Sequence, residues 1–169
     1  GVNGDEDNRD ASNSGAAYVF RDSSRVGINA GMNDAWFDRD TPGQGFLIVV
    51  YPDAGLVFLA WFTFDTEQPG EGVEAILGAP GHRWLTAAGP FSGDTAVLDI
   101  SLTSGGVFDA AQPPAMTDPE PVGAIILTWE NCEKAILSYD LPALGLSRDI
   151  EIFRVVSDNV ALCEALDGS

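Results

Sequence analysis

Basic side chains are scarce in this sequence. Lys and Arg together number 8 against 26 Asp and Glu, the net charge is −18, and Lys134 is the single lysine. A surface of that sign repels phosphate backbones and anionic lipid, which argues against nucleic-acid binding and against docking to an acidic membrane. It tolerates divalent cations and favours solubility. Histidine is nearly missing too. His82, between Gly81 and Arg83, is the only one. A histidine zinc site needs several ligands, and a Ser-His-Asp triad could use His82 alone, with no G-x-S-x-G elbow to accompany it. The expected role of His82 is a strand-entry residue bonded to backbone. The phosphate cradle G-x-x-x-x-G-K-[ST] is absent, and Lys134 does not sit in a glycine-rich turn, so nucleotide chemistry is not expected.

Long apolar runs are also lacking. The most apolar stretch, 45–64, is broken by Pro52, Asp53 and Gly55, so two strands joined by a turn explain it better than a membrane helix of about 20 uninterrupted residues. No apolar leader core occupies the first 30 residues and no initiator Met is present. The expectation is a mature product or a fragment, its leader removed or upstream. Helical periodicity is confined to Val73–Leu77 and Val160–Leu166, with Asp158 and Asn159 as N-cap candidates for the second.

What remains is strand pattern. The 169 residues are 45% apolar, enough for one domain with a real core. The runs 45–51 and 56–64 are rich in β-branched and aromatic residues, and Pro52-Asp53-Ala54-Gly55 joins them as a turn. Further strands are expected at 83–88, 95–102, 124–129, 134–140 and 149–154. In the run 95–102, Ala96, Leu98, Ile100 and Leu102 face one way and Thr95, Asp99 and Ser101 the other. Glu130-Asn131-Cys132-Glu133 and Ser104-Gly105-Gly106 read as hairpin turns. Residues 109–122, with Pro113, Pro114, Pro119 and Pro121, read as loop. The fold class is therefore all-β: an antiparallel meander of about eight strands, as an up-and-down barrel or a sandwich. Residues 1–24, rich in Gly, Asn, Asp and Ser, form an N-terminal extension to a domain spanning 25–169. The runs 45–51 and 56–64 are apolar on both faces, so something must cover both sides of them.

Candidate chemistry is thin. Cys132 and Cys163 are an even pair; in a chain of secreted character they read as one disulfide closing a loop of about 30 residues, worth about 3–4 kcal/mol. The alternative is two buried thiols. Paired carboxylates for glycoside hydrolysis, such as Glu130 beside Trp129 or Asp65 at a strand end, are not singled out among so many acids. Trp36, Phe37 and Trp84, with polar acceptors nearby, could stack on a sugar; against that, tryptophans fill small barrels, and Trp61 and Trp129 are expected to do so. Asp5, Asp7, Asn8 and Asp10 offer oxygen donors for calcium, though their spacing fits no EF-hand. Arg25, Arg39, Arg83 and Arg148 are expected to balance nearby carboxylates, at little gain each.

Two resemblances add to this. Gly1-Val2-Asn3-Gly4-Asp5 together with 11–20, ending Ala16-Ala17-Tyr18-Val19-Phe20, resembles the end of an FG-GAP repeat, the blade unit of integrin-type β-propellers. That likeness spans about 20 residues, less than one blade, and implies that the acidic loop can hold calcium. The body is similar to a C-terminal all-β module of bacterial secreted proteins of unassigned function. Ile28-Asn29-Ala30-Gly31, Ala35-Trp36-Phe37, Gly43-Gln44-Gly45-Phe46, Phe58-Leu59-Ala60-Trp61-Phe62, Gly81-His82-Arg83-Trp84 and 159–164 carry the likeness. It implies an extracellular all-β domain, secreted or at the cell surface, and does not imply an activity. A partial blade cannot close a propeller. The strand Ala16–Phe20 would then pair with this domain's own sheet, pair with the edge of a neighbouring subunit and build a filament, or stay unpaired. The expected role is a non-catalytic extracellular structural or adhesive module that self-assembles through that strand, with no cofactor unless calcium. The alternative is a carbohydrate-binding module, with a glycan as partner and calcium as an aid.

Overall fold

The computed structural model describes residues 25–73, 82–107 and 109–167. Eight strands close into an antiparallel barrel: β1 (Asp34–Phe37), β2 (Gly45–Tyr51), β3 (Leu56–Phe64), β4 (His82–Ser92), β5 (Thr95–Ser101), β8 (Gly123–Asn131), β9 (Lys134–Leu141) and β10 (Leu146–Arg154). Each strand pairs with its neighbour in sequence and β1 meets β10, so the meander is an up-and-down barrel and not a sandwich. Between β5 and β8 the chain leaves the wall. The two-residue strands β6 (Thr103–Ser104) and β7 (Met116–Thr117) pair there as a separate ribbon. Two expectations are thereby corrected. Ser104-Gly105-Gly106 is not a tight hairpin turn, and the proline-rich segment 109–122 holds a short strand.

Alternation builds the wall. In β2, Phe46, Ile48 and Val50 are buried while Leu47 and Tyr51 are exposed. In β5, Ala96, Leu98 and Ile100 point inward. The same period places Ile125, Leu127 and Trp129 of β8 and Ala135 and Leu137 of β9 in one core. An eight-stranded barrel has an interior that side chains can just fill, or that can hold one small ligand.

One turn is used twice. Tyr51-Pro52-Asp53-Ala54-Gly55-Leu56 and Leu141-Pro142-Ala143-Leu144-Gly145-Leu146 both wind through a single 3-10 turn, started by proline and closed by a left-handed glycine (φ 60° and 63°). Proline presets the first φ, and glycine accepts the positive one without a Cβ penalty. The two copies lie at opposite ends of the barrel, the first where β2 ends and the second where β9 ends.

The strand that completes the barrel is Asp34-Ala35-Trp36-Phe37, which no sequence pattern announces. It pairs with β10 only through Trp36–Arg154 and Phe37–Phe153. From Leu146 to Ile152, β10 therefore has β9 as its one strand neighbour among the described residues. The N-terminal extension, with the proposed assembly strand Ala16, Ala17, Tyr18, Val19 and Phe20, lies outside the described residues, as does nearly all of Val73–Leu77. The last element, α1 (Val160–Asp167), matches the second helical segment expected from the sequence.

Candidate functional site: the barrel mouth

The two ends of the barrel differ, and the difference defines the site. At the base, residues 26–33 and α1 are drawn under the strands. Cys132, in the β8–β9 turn, and Cys163, on α1, form the expected disulfide, with Cα atoms 5.8 Å apart. Gly31 lies so close to α1 that a Cβ there would collide with the Cys163 backbone. Asn29 Nδ2 donates to Cys163 O (3.2 Å), Asn159 Nδ2 to Asn33 O (2.8 Å) and Gly27 N to Asp167 Oδ1 (2.6 Å).

Arg154 ties this base together. Its guanidinium, 3% exposed, donates through Nε to Cys132 O, through Nη1 to Asp34 Oδ2 (2.7 Å) and through Nη2 to Gly31 O (2.6 Å). It also stacks 4.6 Å from the Trp36 ring. A buried charge is tolerable only when its donors are matched in this way. Trp36 Nε1 donates to Met32 O (3.1 Å), and Trp129 meets Trp36 edge-on at 6.2 Å. The base is thus filled and cross-linked, and Trp129 Nε1 is its one buried side-chain donor without a partner among the described residues.

Among the described residues the opposite end is open. A cavity of about 570 Å³ enters the barrel there, between the ends of β3 and β9 and the starts of β2, β4 and β10. Phe46, Trp61 and Tyr139 form its inner wall as a chain of tilted rings, with centroids 5.3 and 5.2 Å apart. Leu85, Leu141 and Ile150 extend the apolar lining. The polar groups at the lip are mostly occupied. Asp65 pairs with Arg83. Thr63 Oγ1 donates to Gln44 Oε1 (2.6 Å). The buried Asp38 carboxylate accepts from Asp40 N (2.9 Å).

The arginines divide. Arg25 pairs with Asp94 (3.3 Å) and Arg83 with Asp65, as expected, but Arg39 lies over the Phe153 ring at 3.6 Å. Arg148, at the mouth, has no ion pair or hydrogen bond among the described residues. On the outer wall near the base, Lys134 bridges Glu130 (3.1 Å) and Glu151 (2.7 Å), whose hydrogen bonds raise its pKa above the ordinary lysine value.

The sugar platform drawn from the sequence does not assemble. Trp36 is 1% exposed, inside the barrel beneath Arg154, and offers no ring face to a ligand. Phe37, its neighbour in β1, points outward, and Trp84 is 50% exposed on the outside of β4. Of the two tryptophans expected in the core, Trp129 is fully buried and Trp61 lines the mouth. Glu130 and Asp65, the hydrolase candidates, lie at opposite ends of the barrel. The calcium candidates Asp5, Asp7, Asn8 and Asp10 lie outside the described residues. Among the described residues no group of three His, Cys, Asp or Glu is placed to hold a metal ion, and no helix is long and apolar enough to cross a membrane.

The sequence reading missed Arg154 and Arg148 as site residues. Ile150, Ile152, Arg154 and, backwards, Arg148 share one parity in β10, so extending that alternation would have flagged both as inward. In comparisons with known proteins, no family model, no curated protein and no solved structure matches the chain.

Proposed function

We propose that the protein is a non-catalytic extracellular binding module that holds a small, largely apolar ligand in the open mouth of its barrel. The observation that carries this reading is the aromatic-walled cavity of about 570 Å³, within the range of roughly 300–1,000 Å³ usual for small-molecule sites. The disulfide supports an oxidising, secreted setting. The stapled base suits a binder: a wall fixed beforehand loses little freedom when a ligand enters. The test is a titration with the neutral fluorescent probe N-phenyl-1-naphthylamine. Binding should weaken about tenfold in Trp61→Ala, equivalent to about 1.4 kcal/mol. A wild-type protein that leaves the probe dark would end this reading.

A second reading, the structural or adhesive one, draws on a different surface. The outward positions of β2, β3 and β4 carry no charged residue in a chain of net charge −18. Leu47, Tyr51, Phe62, Phe64 and Trp84 are exposed on or beside that wall. The sequence expectation that these strands are covered on both faces rests on the same residues, and exposed apolar patches commonly mark association sites. Sedimentation analysis of the full chain tests it. Concentration-dependent association that Phe62→Glu abolishes supports self-assembly, and a monomer at every concentration removes it. A glycan partner would need a platform other than Trp36, Phe37 and Trp84, and a glycan array reads that out directly.

A further inference from the structure

We infer that the ligand of the barrel mouth is a hydrophobic monocarboxylate whose head group is held by Arg148; the inference rests on the binding reading above. Among the described residues four ionic side chains line the mouth: Asp38, Asp65, Arg83 and Arg148. Three of them have their charge engaged by the protein. Asp65 and Arg83 neutralise each other. Asp38 is buried and takes the Asp40 amide. Arg148 is the fourth, and it stands alone among the described residues although acids outnumber bases 26 to 8 in the chain.

Its position explains the isolation. Arg148 pairs in register with Tyr139 and shares the parity of Ile150 and Ile152, both buried. It therefore enters the lip from the inward-facing row of β10, beside the ring chain of Phe46, Trp61 and Tyr139. An arginine in that row costs apolar lining and gains no ion pair among the described residues. Arg148 is exposed at the lip, and a guanidinium has a fixed fork of donors that matches a carboxylate with two parallel hydrogen bonds. The overall charge of −18 repels anions at a distance, so an acid is held here only by a local cation, and among the described residues lining the mouth Arg148 is the one not already paired. The apolar body of the ligand would lie on Trp61 and Tyr139 with the carboxylate at the lip.

The experiment is isothermal titration of the full chain with three probes of equal length: decanoate, decanol and decylamine. Decanoate should bind about tenfold more tightly than decanol. Arg148→Gln should bring decanoate to the decanol level and leave decanol unchanged; Arg148 is exposed and has no partner to orphan among the described residues, so the variant should fold as the wild type does. Equal binding of decanoate and decanol, or a preference that survives Arg148→Gln, overturns the inference. Decylamine binding more tightly than decanoate overturns it as well and assigns the head group to Asp38. If N-phenyl-1-naphthylamine binds while decanoate shows no preference, the head-group assignment alone fails. If neither the dye nor any of the three probes binds, the mouth reading fails with it.

Discussion

The base and the mouth of this barrel are made from the same strands and closed by the same six-residue turn, yet one is solid and the other hollow. The difference lies in what is drawn across the strand ends. At the base, the segment through Gly31 and the helix α1 pack under the wall, stitched by Cys132–Cys163 and by the three-way grip of Arg154. At the mouth, the copy of the turn at Pro142–Leu144 is exposed, and Phe46, Trp61 and Tyr139 are left facing a cavity. Turn chemistry sets the hairpins; the crossing segment decides which end can receive something.

Substitutions should break this contrast at the base and spare it at the mouth. The largest effect is expected for Arg154→Ala, which leaves the largely buried Asp34 carboxylate without its ion-pair partner and the Cys132 and Gly31 carbonyls without this donor. Chemical denaturation should report a loss of about 3–5 kcal/mol. Trp36→Ala empties the same region and should cost a similar amount, about 3–5 kcal/mol, whereas Trp61→Ala removes a ring that already borders open space and should cost about 1–2 kcal/mol. Equal losses at the two tryptophans would mean that the ends are equally packed. Replacing both Cys132 and Cys163 by Ala should cost about 3–4 kcal/mol, from freeing a loop with 31 residues of sequence separation. In that variant the probe affinity of the mouth should move less than the denaturation midpoint.

The smallest effect belongs to Lys134. Its pKa is raised in the folded protein by Glu151 and Glu130, so its stabilising contribution is complete below the unfolded lysine value of about 10.4 and fades as pH climbs through the higher folded value. The gap in denaturation midpoint between wild type and Lys134→Met should be constant at neutral pH and narrow in strong alkali. A gap that widened there would reverse the sign of the coupling.

Much of the wall was legible in the sequence. The strands Gly45–Tyr51 and Leu56–Phe64 match their predicted bounds because Pro52 and Gly55 mark the break and β-branched and aromatic residues fill the runs. The pairing of Cys132 with Cys163 followed from an even cysteine count and the expectation of an oxidising compartment. Three other features were not legible, for physical reasons. The strand Asp34–Phe37 spans two side-chain periods, too few for alternation to declare itself, and its place is fixed by pairing with residues more than 100 positions later. The mouth gathers Phe46, Trp61, Tyr139 and Arg148 from four strands, and their proximity exists only once the sheet is rolled. Trp36 is a sugar-stacking candidate by its polar neighbours in the sequence, but its inward parity puts it against Arg154, whose guanidinium pairs with Asp34.

The brief contact between β1 and β10 makes the molecule a rolled sheet with a partly unfastened hem, not a uniform hoop. Where β10 runs from Leu146 to Ile152, alternate backbone amides turn away from β9 toward no strand among the described residues. Those amides should trade hydrogen for deuterium well before the rest of the wall. Unravelling would then start beside the rim and halt at the cysteine staple, so the part of the molecule that yields first is also the part that would have to admit a guest.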